Sequence, residues 1–171
     1  AILSIPKETA MSRTPVATHL APAAIGPYSQ AVTAGGFIFC SGQLGLDPAT
    51  GDFAGPDVET QAERAMTNLR NVLDTAGCTF ADVVKTTVFL QHLDDFAGMN
   101  EVYAGHIGDN PPARSTVEVA KLPAGALVGG HRQDAVQRLR DRRRRLDGDD
   151  QRAVAERLAD AAGVGRDDRP T

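Results

Sequence analysis

Arg114 is the residue whose type and setting most clearly suggest chemistry. It is one of only seven Lys or Arg residues in the first 128, and it follows Pro111-Pro112 where the sequence begins to alternate like a β-strand. A guanidinium presents a planar fork of donors that matches a carboxylate. The alternative is a surface pair with Glu118, on the same strand face but about 13 Å away at roughly 3.3 Å per residue. The residues alone leave both interpretations open.

Few other side chains have the spacing of a reactive site. The four histidines, at positions 19, 92, 106 and 131, lack the i, i+4 spacing of a helical metal pair, and no dinucleotide, phosphate-loop or nucleophile-elbow motif occurs. We therefore expect neither a metal nor a cofactor. Cys40 and Cys78 are interpreted as buried, reduced thiols. No apolar run approaches the roughly 18 residues of a membrane span, so we expect a cytoplasmic protein without membrane contact.

The elements that would position Arg114 begin with a hairpin and a helix. Residues 30–34 and 37–41 predict two strands that flank Gly35-Gly36, a pair suited to a tight turn. A helix is predicted to open at Thr60, whose spacing to Glu63 fits a capping box. Apolar residues then recur at helical spacing as far as Gly77, which suits a left-handed C-cap.

A second strand and helix lead directly to the arginine. Residues 83–90 are rich in β-branched side chains and predict a strand, with Val84, Val88 and Leu90 on one face. Asp94 or Asp95 can cap the helix that follows. Its apolar residues repeat every three or four positions, at Phe96, Met99, Tyr103 and Ile107.

The last elements are a strand that carries Arg114 and a strand that stops early. Residues 113–120 alternate and place Arg114 and Thr116 on one face. A final strand begins at residues 126–128 and is cut off by Gly129-Gly130. The order β-β-α-β-α-β-(β) predicts an α+β fold with two helices on one face of a mixed sheet and a truncated last strand.

The composition of the 171-residue chain changes sharply after residue 128. The first 128 residues carry 7 basic and 13 acidic side chains and every Phe and Tyr, whereas the last 43 carry 11 Arg, no Lys and 9 acidic side chains. We expect a leader or disordered segment over residues 1–16, with Met11 as a candidate start, one domain over residues 17–128 and a tail over residues 129–171. The basic run at 142–145 could touch nucleic-acid phosphates, but its acidic neighbours and the lack of aromatic residues favour a disordered, solvated tail.

Several motifs in one colinear order give residues 17–128 a resemblance to a known family. They are Gly26-Pro-Tyr-Ser-Gln30, Ser41-Gly-Gln43, Asp82-Val-Val-Lys-Thr-Thr-Val-Phe-Leu90, Phe96-Ala-Gly-Met-Asn100, Pro112-Ala-Arg-Ser-Thr-Val-Glu-Val119 and Leu122-Pro-Ala-Gly-Ala-Leu-Val128. With these motifs the chain resembles the YjgF/RidA (Rid) family. The resemblance implies a chorismate-mutase-like α+β fold and a homotrimer with clefts between subunits. It also implies metal-free hydrolysis of reactive enamines and imines, of the 2-iminobutanoate/2-iminopropanoate type, to 2-keto acids and ammonia.

The resemblance also assigns residues to a site. Arg114 would hold the substrate carboxylate, Tyr28 and Ser41 match positions that line the cleft, and Asn100 lies in the Phe-x-x-Met-Asn motif. Packing or capping roles are the alternative for Tyr28, Ser41 and Asn100. Thr116 stands where many relatives have a Cys, so no thiol nucleophile is expected and water is the expected attacking group.

The likeness ends at Gly129. The family has a Glu there, taken to position or activate the attacking water, and a general base typically contributes a factor of about 10² to 10⁴. A reading frame shifted by one base after Val128 permits Glu-Val-Ile-Ala, so we hypothesise that residues 129–171 are a frameshifted end. The alternative function is a non-catalytic 2-keto-acid-binding protein or an RNA-acting protein, like relatives described as endoribonucleases or translation inhibitors.

Overall fold

A computed structural model describes residues 12–130 and the backbone of residues 133–138. The strands are β1 (Arg13–Val16), β2 (Ala31–Ala34), β3 (Phe37–Cys40), β4 (Lys85–Leu90), β5 (Ala113–Glu118), β6 (Val128–Gly129) and β7 (Gln133–Arg138). The helices are α1 (Val58–Thr75) and α2 (Phe96–Ile107). The expected α+β class is confirmed.

The first sheet is antiparallel and is built around the predicted Gly-Gly turn. Gly35 and Gly36 have φ angles of 58° and 80°, and they join β2 to β3. β1 pairs with β2, so residues 13–16, which we expected in a leader, form an edge strand instead. Pro15 obscured this strand because proline breaks a strand pattern but is tolerated at the edge of a sheet.

The second sheet carries Arg114, in the strand order β5-β4-β6. β5 runs parallel to β4, and β6 runs antiparallel to β4 on its other side. β6 contains only two residues, which agrees with the expectation of a short last strand. The chain then forms β7, which was not expected and which pairs antiparallel with β3. The sequence of β7, Gln-Asp-Ala-Val-Gln-Arg, has no strand pattern, so the pairing is set by the open edge of β3 rather than by propensity.

The two helices begin close to the predicted positions, with one correction. α1 starts two residues before Thr60, and its N-cap is Asp57, whose side chain accepts a hydrogen bond from the Thr60 N–H at 2.8 Å. The capping box predicted at Thr60 is therefore wrong, because a better cap lies one turn earlier. Gly77 has φ of 77° just beyond the helix, as predicted, and Asp95 occupies the N-cap position of α2.

The core lies between the helices and one face of β4. Thr86, Val88 and Leu90 are buried on that face, and Val88 lines a small cavity together with Met66 of α1 and Met99 of α2. Val84, which the alternation placed with Val88 and Leu90, is exposed because it precedes β4. The face that the helices cover is also the face on which Arg114 lies.

Candidate functional site

Register and alternation together place Arg114 on the helix-covered side of the second sheet. In the parallel pair, Thr86 of β4 lies beside Arg114 of β5, and Val88 lies beside Thr116. Neighbouring residues of paired strands project to the same face. Arg114 and Thr116 therefore point toward α2, and both are half-buried.

Three residues of α2 surround the Arg114 guanidinium. Its Nη2 donates a hydrogen bond of 2.7 Å to Asn100 Oδ1. Its Cζ lies 4.5 Å from the centroid of the Tyr103 ring and 5.6 Å from that of the Phe96 ring. Because Phe96, Asn100 and Tyr103 follow the i, i+4, i+7 spacing of a single helical stripe, one face of α2 forms the whole support.

The positive charge of Arg114 has no acidic partner among the residues that the structure describes. Glu118, the surface partner that the sequence left open, instead accepts a hydrogen bond of 2.7 Å from the Leu93 N–H. Asn100 is neutral and takes one of the five guanidinium N–H groups. Arg114 therefore keeps both its charge and most of its donors, which is the arrangement that an incoming carboxylate requires.

Thr116 places a second polar group on the same strand face. Its Oγ1 is buried and has no hydrogen-bond partner within the described part of the chain. A buried hydroxyl without a partner is costly, and such groups often mark a site where a ligand or water binds. Thr116 lies two residues from Arg114 on the same strand face, about 7 Å along the strand at roughly 3.3 Å per residue.

Tyr28 and Ser41 form a separate group near the first sheet. Ser41 Oγ donates a hydrogen bond of 2.6 Å to the Ser29 carbonyl, and the Ile25 N–H donates one of 3.1 Å to the Tyr28 hydroxyl. Tyr28 is 53% exposed. In the described structure no hydrogen bond joins either residue to Arg114: Tyr28 and Ser41 flank strands of the first sheet, whereas Arg114, Asn100 and Thr116 lie on β5 of the second sheet and on α2.

Comparisons with known proteins show the family to which the chain belongs. The family model described as Endoribonuclease L-PSP matches residues 18–129, which is more than half of the chain. A 2-iminobutanoate/2-iminopropanoate deaminase of Capra hircus is 47% identical over 113 residues, covering 66% of this chain and 82% of that protein. The chain belongs to the YjgF/RidA family. The match nearly coincides with the expected domain of residues 17–128.

Solved structures of the YjgF/RidA family share the fold. A putative endoribonuclease L-PSP from Entamoeba histolytica superposes with a TM-score of 0.69 at 48% identity, covering 71% of this chain and 97% of that one. TdcF of E. coli with bound serine superposes with a TM-score of 0.63 at 38% identity, covering 70% of this chain and 97% of that one.

Gly129, where the resemblance led us to expect a Glu, is buried in β6. It pairs with Phe89, whose face of β4 is opposite to the face of Thr86. A Cβ at this position would lie 2.6 Å from Leu44 Cδ2, so any side chain would have to displace Leu44. A Glu at 129 would therefore start on the face opposite to Arg114, and it would need local rearrangement to fit.

The histidine, cysteine and acidic side chains of the described residues do not gather into a metal site. No cluster of three His, Cys, Asp or Glu side chains among them has the arrangement of a metal site. Burial raises the pKa of the Cys40 thiol to about 12, with a smaller contribution from nearby Cys78, so this thiol stays protonated at neutral pH. Within residues 12–130, no helix is long and apolar enough to cross a membrane.

Phe96 and Tyr103 are the site residues that sequence reasoning missed. Their spacing was recognised, but it was assigned to core packing. The sequence signal for them is a pair of aromatic residues at i and i+7 with an amide at i+4. Such a stripe offers a guanidinium two rings for cation–π contacts and one hydrogen-bond acceptor.

Proposed function

We propose that this protein hydrolyses 2-imino acids and their enamine tautomers, of the 2-iminobutanoate/2-iminopropanoate type, to 2-keto acids and ammonia. The observation that carries the proposal is the uncompensated guanidinium of Arg114, held by Asn100 and two rings. Two relatives support it. The goat protein is named as a deaminase of these imines, and TdcF was solved with serine, whose carboxylate and amino group share one carbon.

In the proposed reaction, Arg114 binds the substrate carboxylate through two charge-assisted hydrogen bonds and fixes its orientation. Water adds to C2 of the protonated imine, and its oxygen forms a new bond to C2 while the C=N bond becomes a single bond. A proton then passes from the added oxygen to the nitrogen, the C–N bond breaks with its electron pair going to ammonia, and the second water proton passes to solvent as the C=O bond of the 2-keto acid forms. The orphan hydroxyl of Thr116 would hydrogen-bond the group at C2. Neither a thiol nor a metal takes part.

We further propose that the active form is a homotrimer with sites between subunits. Phe39 of the first sheet is 41% exposed and Val117 of the second sheet is 42% exposed, which suits burial against another copy. Since Tyr28 and Ser41 lie apart from Arg114 in one chain, they would complete the site of a neighbouring subunit. Light scattering tests the oligomer, and a monomer at catalytic concentrations would contradict it.

The proposed activity is tested by competition for an imine. Threonine dehydratase generates 2-iminobutanoate in the presence of semicarbazide, and the purified protein should reduce semicarbazone formation by hydrolysing the imine first. In the Arg114→Ala variant the rate of imine hydrolysis should fall by a factor of about 10² to 10⁴, which corresponds to the loss of two charge-assisted hydrogen bonds. Arg64→Ala removes another guanidinium, which forms a surface pair with Asp47 at 3.4 Å, and should leave the effect intact. Equal activity of wild type and Arg114→Ala would overturn the proposal.

Binding without turnover is the second candidate, and Gly129 favours it because this position offers no carboxylate to activate water. Calorimetry with 2-oxobutanoate, together with the semicarbazone assay, separates the two: affinity without hydrolysis would identify a 2-keto-acid-binding protein. Gly129→Glu alone is not expected to restore full activity, because the new side chain would start on the sheet face opposite to Arg114. RNA cleavage is disfavoured by the acidic surplus of the first 128 residues, 13 against 7. Cleavage of RNA that Arg114→Ala abolishes would support it.

We also propose a cytoplasmic location. Cys40 and Cys78 are both buried thiols, a form that a reducing cytoplasm would preserve. The tail after Gly130 lies outside the described residues, apart from the backbone of β7. The nucleotide sequence across codon 128 tests the frameshift hypothesis, and the absence of any neighbouring frame that continues the strand would reject it.

A further inference from the structure

Tyr103 links Arg114 to the core of the domain. Its hydroxyl lies 2.8 Å from Thr86 Oγ1, and both residues are buried, with exposed fractions of 7% and 2%. Each hydroxyl can donate to or accept from the other, so the pair satisfies two buried polar groups at once. The bond anchors the tip of the Tyr103 ring to β4.

The Tyr103 ring also contacts the guanidinium of Arg114. The 4.5 Å separation between Arg114 Cζ and the Tyr103 centroid is shorter than the 5.6 Å separation from Phe96, and it lies well within the range of a cation–π contact. Thr86 and Arg114 are register neighbours on β4 and β5. Thr86, Tyr103 and Arg114 therefore form a closed loop of contacts across two strands and a helix.

We propose that Tyr103, anchored by Thr86, is a positioning residue that sets the orientation of Arg114 for the substrate carboxylate. Asn100 restrains one edge of the guanidinium, and the ring restrains its plane. The remaining N–H groups then stay directed at the open side of the strand. A flexible arginine would have to lose side-chain freedom when the carboxylate binds, whereas this restraint is already present in the free protein. The inference rests on the proposed function of Arg114.

The restraint is tested first without any ligand. Protons above an aromatic ring are shielded, so the side-chain NMR resonances of Arg114 in the wild-type protein should lie upfield of those of an exposed arginine. Tyr103→Leu should remove the part of this shift that Tyr103 causes, whereas Phe80→Leu should leave it unchanged. Phe80 is a matched control because its ring lies 5.7 Å from the Cζ of a different arginine, Arg70. Unshifted Arg114 resonances in the wild type would overturn the proposal even if the variants fail to fold.

The effect of this restraint on binding is measured as the dissociation constant of 2-oxobutanoate and as the KM for the imine. Tyr103→Leu should raise the dissociation constant and KM about 3- to 30-fold, the range of a partly buried cation–π contact. The double variant Tyr103→Phe with Thr86→Val keeps the ring but removes the anchoring hydrogen bond, so its dissociation constant and KM should lie between those of the wild type and those of Tyr103→Leu. Phe80→Leu should change neither constant.

The two proposals fail in different ways. If Arg114→Ala leaves binding and turnover unchanged, the function assigned to Arg114 is wrong. If Arg114→Ala abolishes both while a folded Tyr103→Leu protein keeps the wild-type KM and the wild-type Arg114 resonances, only the positioning role of Tyr103 is wrong.

Discussion

Arg114 and Arg70 each rest on an aromatic ring, but their surroundings differ in charge. Arg70 Nη2 lies 2.8 Å from His106 Nδ1, and His106 Nε2 lies 2.8 Å from a carboxylate oxygen of Glu63. Arg114 is bound by the neutral amide of Asn100. The hydrogen-bond network of Arg70 therefore ends on the Glu63 carboxylate, whereas that of Arg114 ends on a neutral amide.

This difference separates a structural guanidinium from one prepared for a ligand. Through His106, the Arg70 network joins α1 to α2 and its charge is balanced within the fold. An amide acceptor holds a guanidinium in place without neutralising it, since Asn carries a dipole but no net charge. The charge of Arg114 is thus not neutralised by the residues that the structure describes, so the guanidinium can bind an anion. For anion binding, the neutral character of its hydrogen-bond partner is more important than how deeply the guanidinium is buried.

The largest effect is expected from making Arg114 resemble Arg70. Asn100→Asp would give Arg114 a carboxylate partner of nearly the same shape. At about 5 Å and an effective dielectric constant of about 20, repulsion between this carboxylate and the substrate costs about 3 kcal/mol, or a factor of about 100 in affinity for 2-oxobutanoate. Titration calorimetry measures it, and unchanged affinity would show that the neutral partner is not what prepares the site.

A smaller loss is expected from replacing each arginine by lysine. Arg114→Lys keeps the charge but loses the planar fork, so kcat/KM should fall about tenfold. Arg70→Lys should leave kcat/KM close to the wild-type value, because Arg70 does not contact substrate in this account. Equal losses in the two variants would contradict the distinction between the two arginines.

Breaking the balanced network should affect stability and not activity. Glu63→Gln removes the negative end of the His106 contact, and this side chain is 59% exposed, so the free energy of unfolding should fall by only about 0.5–1 kcal/mol. Urea unfolding measures the loss, and the semicarbazone assay supplies the comparison. A Glu63→Gln protein of normal stability but lost activity would place the network in the reaction.

The smallest effect is expected from the thiols. The raised pKa of Cys40 means that the folded protein favours the protonated thiol, so its contribution to stability is full below about pH 9 and is lost as the pH rises toward about 12. At pH 8 the folded protein should resist alkylation by iodoacetamide at Cys40 and keep its activity. Rapid alkylation with loss of turnover would point to a catalytic thiol.

Much of this site was visible in the sequence. Arg114 was indicated by its isolation among few basic residues and by the prolines before it, and the hairpin, both helices and the strand after Val83 follow from turn residues and periodicity. Asn100 came from resemblance alone. The stripe of Phe96, Asn100 and Tyr103 is visible in the sequence, but that it faces Arg114 could not be predicted, because this depends on the register of β5 against β4, which brings Arg114 beside Thr86.

Other elements were hidden because tertiary pairing overrides local propensity. β1 contains a proline and β7 is polar, and both exist because a neighbouring strand offers an unpaired edge. The cap of α1 at Asp57 illustrates a smaller ambiguity, since two acceptable caps lie within one turn and only the packing of the helix selects between them.

The central claim is that Arg114, and not Arg70, binds the carboxylate of the substrate. Titration of 2-oxobutanoate into wild type, Arg114→Ala and Arg70→Ala, each confirmed as folded by circular dichroism, tests it most directly. We predict that Arg114→Ala weakens binding by a factor of at least about 30 while Arg70→Ala binds like the wild type. Wild-type affinity in a folded Arg114→Ala protein would contradict the account.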